Sequence, residues 1–319
     1  MEQQRSVIDR CGRIAGLSHV AFQVPDIERS VWHATRIVGL RESGRGDGTV
    51  YLTAGRAHHE LQLIQSDRAC SDHVAFHVTD REALDEFRAA LEAQGIATQP
   101  VRGEIGLSNA FRFAGPSGHV FELLLDMEAN EPEFYNTEGI RPNRLEHVGL
   151  RCENVEEMVQ FFTRVMGFRV SDRMDTDAYV WMRCNAYHHS IGFIKGRHGF
   201  HHYAWETMEF NDYRRLGDHL RANRMELLWG VGRHGPGHNI FAYYHDADRA
   251  VVEYSGDLQR IVDERTYVPG NWPKQASTGT VWGGLAPNLP EFLALGVDSV
   301  RQDAGAMTAS STGAKGAWS

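Results

Sequence analysis

The chain has 319 residues, 42% of them apolar and 24% charged, which is ordinary for a globular protein and longer than one hydrophobic core usually serves, so two domains are expected. With 33 basic against 42 acidic residues the formal net charge is −9; no Lys/Arg-rich run offsets it, which argues against a nucleic-acid partner. No apolar stretch reaches the roughly 20 residues of a membrane helix, the leading MEQQRSVIDRCGR is too polar for a secretory core, and Cys11, Cys70, Cys152 and Cys184 form no C-x-x-C pair. A cytoplasmic protein with reduced thiols and no thiolate zinc site is therefore expected.

Taken in chain order, the sequence repeats one pattern four times. A short strand around LSHVAFQV (17–24) leads into a helix over about 26–38, which ends before Gly39. A second strand at 72–78 leads into a helix over 81–94, with Thr79 and Glu82 as its cap and Gly95 as its stop. A third strand, 145–151, precedes a helix over 155–166, in which Val155, Met158, Val159, Phe162 and Val165 fall on one face. Asn154 is its N-cap, Glu157 the capping-box partner and Gly167 the stop. The fourth helix covers about 212–224. Several strands follow each helix, which gives an α+β fold of four βαβββ modules paired into two domains, 1–135 and 136–285. Residues 258–319 depart from the pattern, and 286–319 are polar enough to be expected as a disordered tail.

The two halves are tandem copies. LSHVAFQV (17–24) matches LEHVGLRC (145–152), AHHELQL (57–63) matches YHHSIGF (187–193), SDHVAFHV (71–78) matches FHHYAWET (200–207), and GHVFELLLD (118–126) matches RAVVEYSGD (249–257). The offsets stay between 128 and 131 residues. His147 and His202 fall in the first strands of the third and fourth modules, and Glu253 in the last strand of the fourth. Two imidazoles and a carboxylate on rigid strands compose the 2-His-1-carboxylate triad of non-haem Fe(II) oxygenases. A lone strand histidine is usually an ordinary polar or core residue, and Glu253 alone could be a solvated strand position; their repetition in a duplicated scaffold favours a metal site. Histidine pairs occur at 58–59, 188–189 and 201–202, and strand alternation lets one member of each pair face a cavity.

The stretch GRHGPGHNIFAYYHDADRAVVEYSGD (232–257) resembles the signature of the type I extradiol ring-cleavage dioxygenases (catechol 2,3-dioxygenase-like) of the vicinal oxygen chelate superfamily, and WMRCNAYHHSIGF (181–193) is similar to another strand of that family. The resemblance covers about residues 14–285. It departs at Ala247 and Arg249, where the family places proline and glycine. It implies His147, His202 and Glu253 as metal ligands, His189 as the acid–base residue, Tyr243 as a hydrogen-bond partner of the substrate oxygen, and His234 as its assistant. It further implies Fe(II), with Mn(II) as the alternative, and a catechol and O2 as substrates opened to a muconic semialdehyde-type product. A homo-oligomer is expected.

The N-terminal half keeps His19, His59, His73 and Glu122 but has Arg112 where the C-terminal half has Tyr243, and a guanidinium opposes a cation. A vestigial half without metal is expected. The arylacetate-cleaving branch of the family holds its substrate's carboxylate with arginines where this chain has Trp229 and Gly279, and carries an asparagine where this chain has Gly149. Trp181 and Trp229 are therefore expected to pack on a neutral substituent, with Arg183 the one nearby cation able to change that. The competing readings are a glyoxalase-like isomerase or thiol transferase on the same scaffold, and a metal-free aromatic-binding protein.

Overall fold

The computed structural model describes residues 12–131 and 137–305; Cys11, the expected boundary at 135/136 and the end of the expected tail lie outside them. The first module comprises β1 (Ile14–Val24), α1 (Ile27–Trp32), β2 (Arg41–Gly46), β3 (Thr49–Thr53) and β4 (Leu61–Gln65). The second comprises β5 (Cys70–Val78), α2 (Arg81–Ala93), β6 (Thr98–Pro100), β7 (Leu107–Ala114) and β8 (Val120–Met127). The third comprises β9 (Leu145–Cys152), α3 (Val155–Arg164), β10 (Arg169–Met174), β11 (Tyr179–Arg183) and β12 (Ile191–Lys195). The fourth comprises β13 (Gly199–Glu206), α4 (Asn211–Ala222), β14 (Leu227–Arg233), β15 (Ile240–His245) and β16 (Val251–Gly256). The expected α+β fold, with paired βαβββ modules in each half, is what the chain adopts.

Each half forms one sheet, ordered β2-β3-β4-β1-β5-β8-β7-β6 in the first and β14-β15-β16-β13-β9-β12-β11-β10 in the second. The first strand of each module lies at the centre, antiparallel to the first strand of its sister and parallel to the last strand of its own module. A side chain on β9, β13 or β16 therefore projects from the middle of a face of the sheet. The two halves share a core in which Phe22 meets Phe200 at 5.0 Å between ring centroids, Phe76 meets Phe168 at 5.4 Å and Phe121 meets Phe162 at 5.1 Å.

Local signals act largely as expected. Asn154 accepts the Glu157 N–H at 3.2 Å and caps α3, and Gly167 follows that helix at φ +74°, a conformation costly for any residue with a Cβ. The cap of α2 is Asp80, which accepts the Ala83 N–H at 2.8 Å, rather than Thr79. Thr79 still donates its backbone N–H to the Arg13 carbonyl, continuing the pairing of the central strands β5 and β1, so the chain has not yet turned there. After α1 the helix continues over His33–Val38 as a wide π-type turn, closed by Gly39 N–H to Ala34 O at 3.0 Å. Arg249 adopts φ +72° where the family has glycine, so that departure places a side chain in a strained turn.

The expectation of a disordered 286–319 tail is corrected for residues 286–305. Beyond β17 (Gly270–Trp272), which adds to β10, and α5 (Ala276–Gly279), the chain forms α6 (Leu289–Leu293) and then β18 (Asp298–Ser299), which pairs with β5 of the first sheet. Phe292, Leu293 and Val297 are buried. A few apolar residues at helical spacing are enough to dock this segment, and the polar composition around them concealed it.

Candidate metal centre and active site

His147, His202 and Glu253 occupy the adjacent strands β9, β13 and β16. Ala204 of β13 pairs with His147 on one side and Glu253 on the other, and His202 lies opposite Gly149. A Cβ at Gly149 would lie 2.4 Å from the His202 ring, so the glycine makes room for that imidazole. His147 Nε2 and His202 Nε2 lie 3.0 and 3.4 Å from Glu253 Oε2, and one ligating atom from each residue lies within 4.8 Å of the others. The remaining positions are tied down. His147 Nδ1 meets Glu146 Oε2 at 3.0 Å, His202 Nδ1 meets His201 Nδ1 at 2.6 Å, and Asn239 Nδ2 donates to Glu253 Oε1 at 3.0 Å. Partners of this kind orient metal-binding imidazoles and carboxylates. The donor set therefore fits a divalent cation.

The charges agree. Burial pushes His202 well below the ordinary imidazole range, with His201 adding to it, so it is neutral. Burial opposes the charge of Glu253, but His147 outweighs it and holds the carboxyl well below its usual range. Burial likewise works against a charged His147; Glu253 and Glu146 reverse it and raise the ring to about 9.

These residues line one cavity that opens to solvent. His189 lies just before β12, its ring centroid 4.2 Å from that of His147. His234 follows β14: its Nδ1–H donates to Gly279 O at 2.6 Å, and the Tyr243 hydroxyl donates to its Nε2 at 2.9 Å. Burial, with the charge of Glu253, keeps Tyr243 a neutral phenol. Both His201 and His202 reach the cavity, against simple alternation, because a register shift between Phe200 and His202 interrupts the pairing with β9. His201 is anchored on the Phe292 carbonyl at 2.8 Å.

The opposite wall is apolar. Trp181 stacks on Tyr179 at 4.0 Å, and Trp229 contacts Tyr243 and Phe292. Arg183 is turned away: it pairs with Glu264 and donates to Val170 O and Ser171 Oγ at 2.8 and 2.9 Å. All eight candidate residues (His147, His202, Glu253, His189, His234, Tyr243, Trp181, Trp229) meet at this one cavity. Sequence reasoning missed Glu146, Asn239, Tyr179 and the α6 residues Phe292 and Leu293. Asn239 stood within the signature stretch, and the rest carried no separate signal.

In the N-terminal half His19, His73 and Glu122 also converge. There Arg112 donates through Nε to Glu122 Oε2 at 2.8 Å, lies 3.2 Å from His73 Nε2 and pairs with Glu104.

Residues 144–254 match the Glyoxalase/Bleomycin resistance protein/Dioxygenase superfamily, and residues 71–128 match the catechol 2,3-dioxygenase-like N-terminal domain. The fold and the His-His-Glu site thus define a member of that superfamily. The chain is 30% identical over 298 residues to the manganese-dependent 2,3-dihydroxybiphenyl 1,2-dioxygenase of Geobacillus genomosp. 3, covering 85% of this chain and 94% of that one. Among solved structures, the 2,3-dioxygenase LapB from Pseudomonas sp. KL28 superposes with a TM-score of 0.76 at 26% identity, over 82% of this chain and 97% of that one. The Mn(II)-bound glyoxalase from Novosphingobium aromaticivorans superposes with a TM-score of 0.82 at 27% identity, over 93% and 98%. The chain belongs to the extradiol dioxygenase family, whose members use O2 to open a catechol-type ring next to its vicinal hydroxyls. Among the described residues no helix is long and apolar enough to cross a membrane.

Proposed function

We propose that this dioxygenase holds one catalytic Fe(II), with Mn(II) as the alternative, on His147, His202 and Glu253, and that it cleaves a catechol whose substituent is neutral. The observation that carries this reading is the convergence of the three ligating atoms with His189 and Tyr243 in one apolar-walled cavity. When bound, the metal supplies Lewis acidity toward the two diol oxygens and an electron path between the ring and O2.

The protein's own groups then divide the remaining work. His189 takes a proton from the diol and returns one as the ring opens, a task suited to an imidazole facing the reacting atoms. Tyr243 orients a substrate oxygen through its hydroxyl, and His234 fixes that phenol from behind. Trp181 and Trp229 pack against the ring and exclude water. Asn239 and Glu146 hold the ligands Glu253 and His147 in place. The glyoxalase among the structural relatives shares the triad's scaffold; the His189, His234 and Tyr243 set is what favours ring cleavage here.

His189→Phe tests the assignment. It should keep metal and anaerobic catechol binding while oxygen uptake falls by about 10²–10⁴-fold. Turnover like that of the wild type would refute it.

A further inference from the structure

Behind His189 runs a buried chain of hydrogen bonds. His189 Nδ1 lies 3.0 Å from His188 Nδ1, and His188 Nε2 lies 3.2 Å from Asp172 Oδ2. Asp172 lies at a register shift in β10, opposite Trp181. The C-terminal segment holds it: Gly270 N–H donates to Oδ1 at 2.6 Å and the Trp272 indole donates to Oδ2 at 2.8 Å. All three side chains of the chain are buried.

The direction of each bond follows from what each group can offer. An ionised carboxylate only accepts, so the His188 hydrogen facing Asp172 sits on Nε2. Burial keeps His188 below the ordinary imidazole range. It therefore carries that single hydrogen, and its Nδ1 is a lone pair. The hydrogen between the two Nδ1 atoms then belongs to His189, which leaves the His189 Nε2 lone pair facing the cavity.

We propose that Asp172 and His188 are positioning residues that set the tautomer of His189, so that its Nε2 meets the catechol as a proton acceptor. A proton passes from a catechol O–H to Nε2 while the bonding pair stays on oxygen. Its return to an oxygen of the opening ring restores the neutral imidazole, so no further reactant is needed. This rests on the acid–base reading of His189 given above.

The duplicated half supplies an internal comparison. His58 and His59 repeat the Nδ1 contact at 2.9 Å. In place of Asp172 stands Gly44, at the same register shift and opposite Tyr51. A Cβ built on Gly44 would lie 3.3 Å from His58 Nε2, so the glycine occupies the acid's position and offers no acceptor side chain. Among the described residues His59 Nε2 has no hydrogen-bond partner. The half whose metal position is filled by Arg112 is also the half that lacks the orienting acid.

The test compares His188→Gln with His188→Leu in the metal-loaded enzyme. A carboxamide can donate to Asp172 and accept from His189 in the same order as the imidazole; leucine can do neither. With metal content and KM for catechol unchanged, His188→Gln should turn over close to the wild type, and His188→Leu should lose about 10–100-fold in kcat, the range for losing a residue that orients a site. Anaerobic binding of 4-nitrocatechol, whose visible band reports its ionisation, should shift toward the more protonated form in His188→Leu alone. Equal turnover and equal spectra in the two variants would overturn the proposal. If His189→Phe is inactive while His188→Leu is unaffected, only the positioning role falls; if both are unaffected, the acid–base reading falls with it.

Discussion

Arg112 and Glu122 face each other across β7 and β8, and the guanidinium donates to the carboxylate at 2.8 Å. Tyr243 and Glu253 face each other in the same register across β15 and β16. At this position the first copy sets a guanidinium against its His-His-Glu cluster, where the second sets a neutral phenol. Arg112→Ala should leave Glu122 buried and unpaired, which costs about 3–5 kcal/mol. Urea denaturation of metal-free protein measures this, and added Mn(II) should restore part of the loss by reaching His19, His73 and Glu122. A variant as stable as the wild type would show that Arg112 does not hold this half together.

Asp246, in the turn between β15 and β16, accepts two backbone N–H groups and the Tyr203 hydroxyl. Burial, and then the charge of Asp248, nevertheless raise it to about 7. This folded value lies above that of the unfolded chain. Between the two the unfolded chain has already released a proton that the native protein keeps, so this group's contribution to stability falls as pH rises toward 7. Asp246→Asn removes that contribution. Its Tm should decline less than that of the wild type between pH 5.5 and 8, and parallel declines would refute the assignment.

Much of this was legible because duplication exposes it. His147, His202 and Glu253 repeat His19, His73 and Glu122 at a nearly constant offset, and a position kept twice stands out without any structure. Asp172 and Glu146 were not legible, since an acid on a strand becomes a partner only through the fold that brings a histidine beside it. The α6 segment was misjudged because a window dominated by small and polar residues hides Phe292 and Leu293, whose anchoring depends on a distant cavity wall. Thr79 and Asp80 are equally good caps by composition, and how far β5 stays paired with β1 decides between them.

The cavity also bears on substrate choice. Among the described residues no Lys or Arg lines it, and Arg183 is committed to Glu264. A Cβ at Gly279 would lie 2.5 Å from the Trp229 ring, so a larger residue there requires Trp229 to leave. Compared with 3-methylcatechol or 4-methylcatechol, homoprotocatechuate would lose hydration without gaining a charge-assisted hydrogen bond worth about 1.5–3 kcal/mol. Its kcat/KM, measured by oxygen uptake at equal ionic strength, should be lower by about one to two decades. A preference for homoprotocatechuate would contradict the neutral-pocket reading.

One catalytic metal per chain is expected, held in the C-terminal half. Metal quantification on anaerobically reconstituted protein, paired with oxygen uptake on catechol, tests it most directly in the wild type, His19→Ala and His147→Ala. About one ion per chain and full turnover are expected in the wild type and in His19→Ala, with neither metal nor turnover in His147→Ala. Two ions per chain in the wild type, with one ion and ring cleavage surviving in His147→Ala, would contradict it.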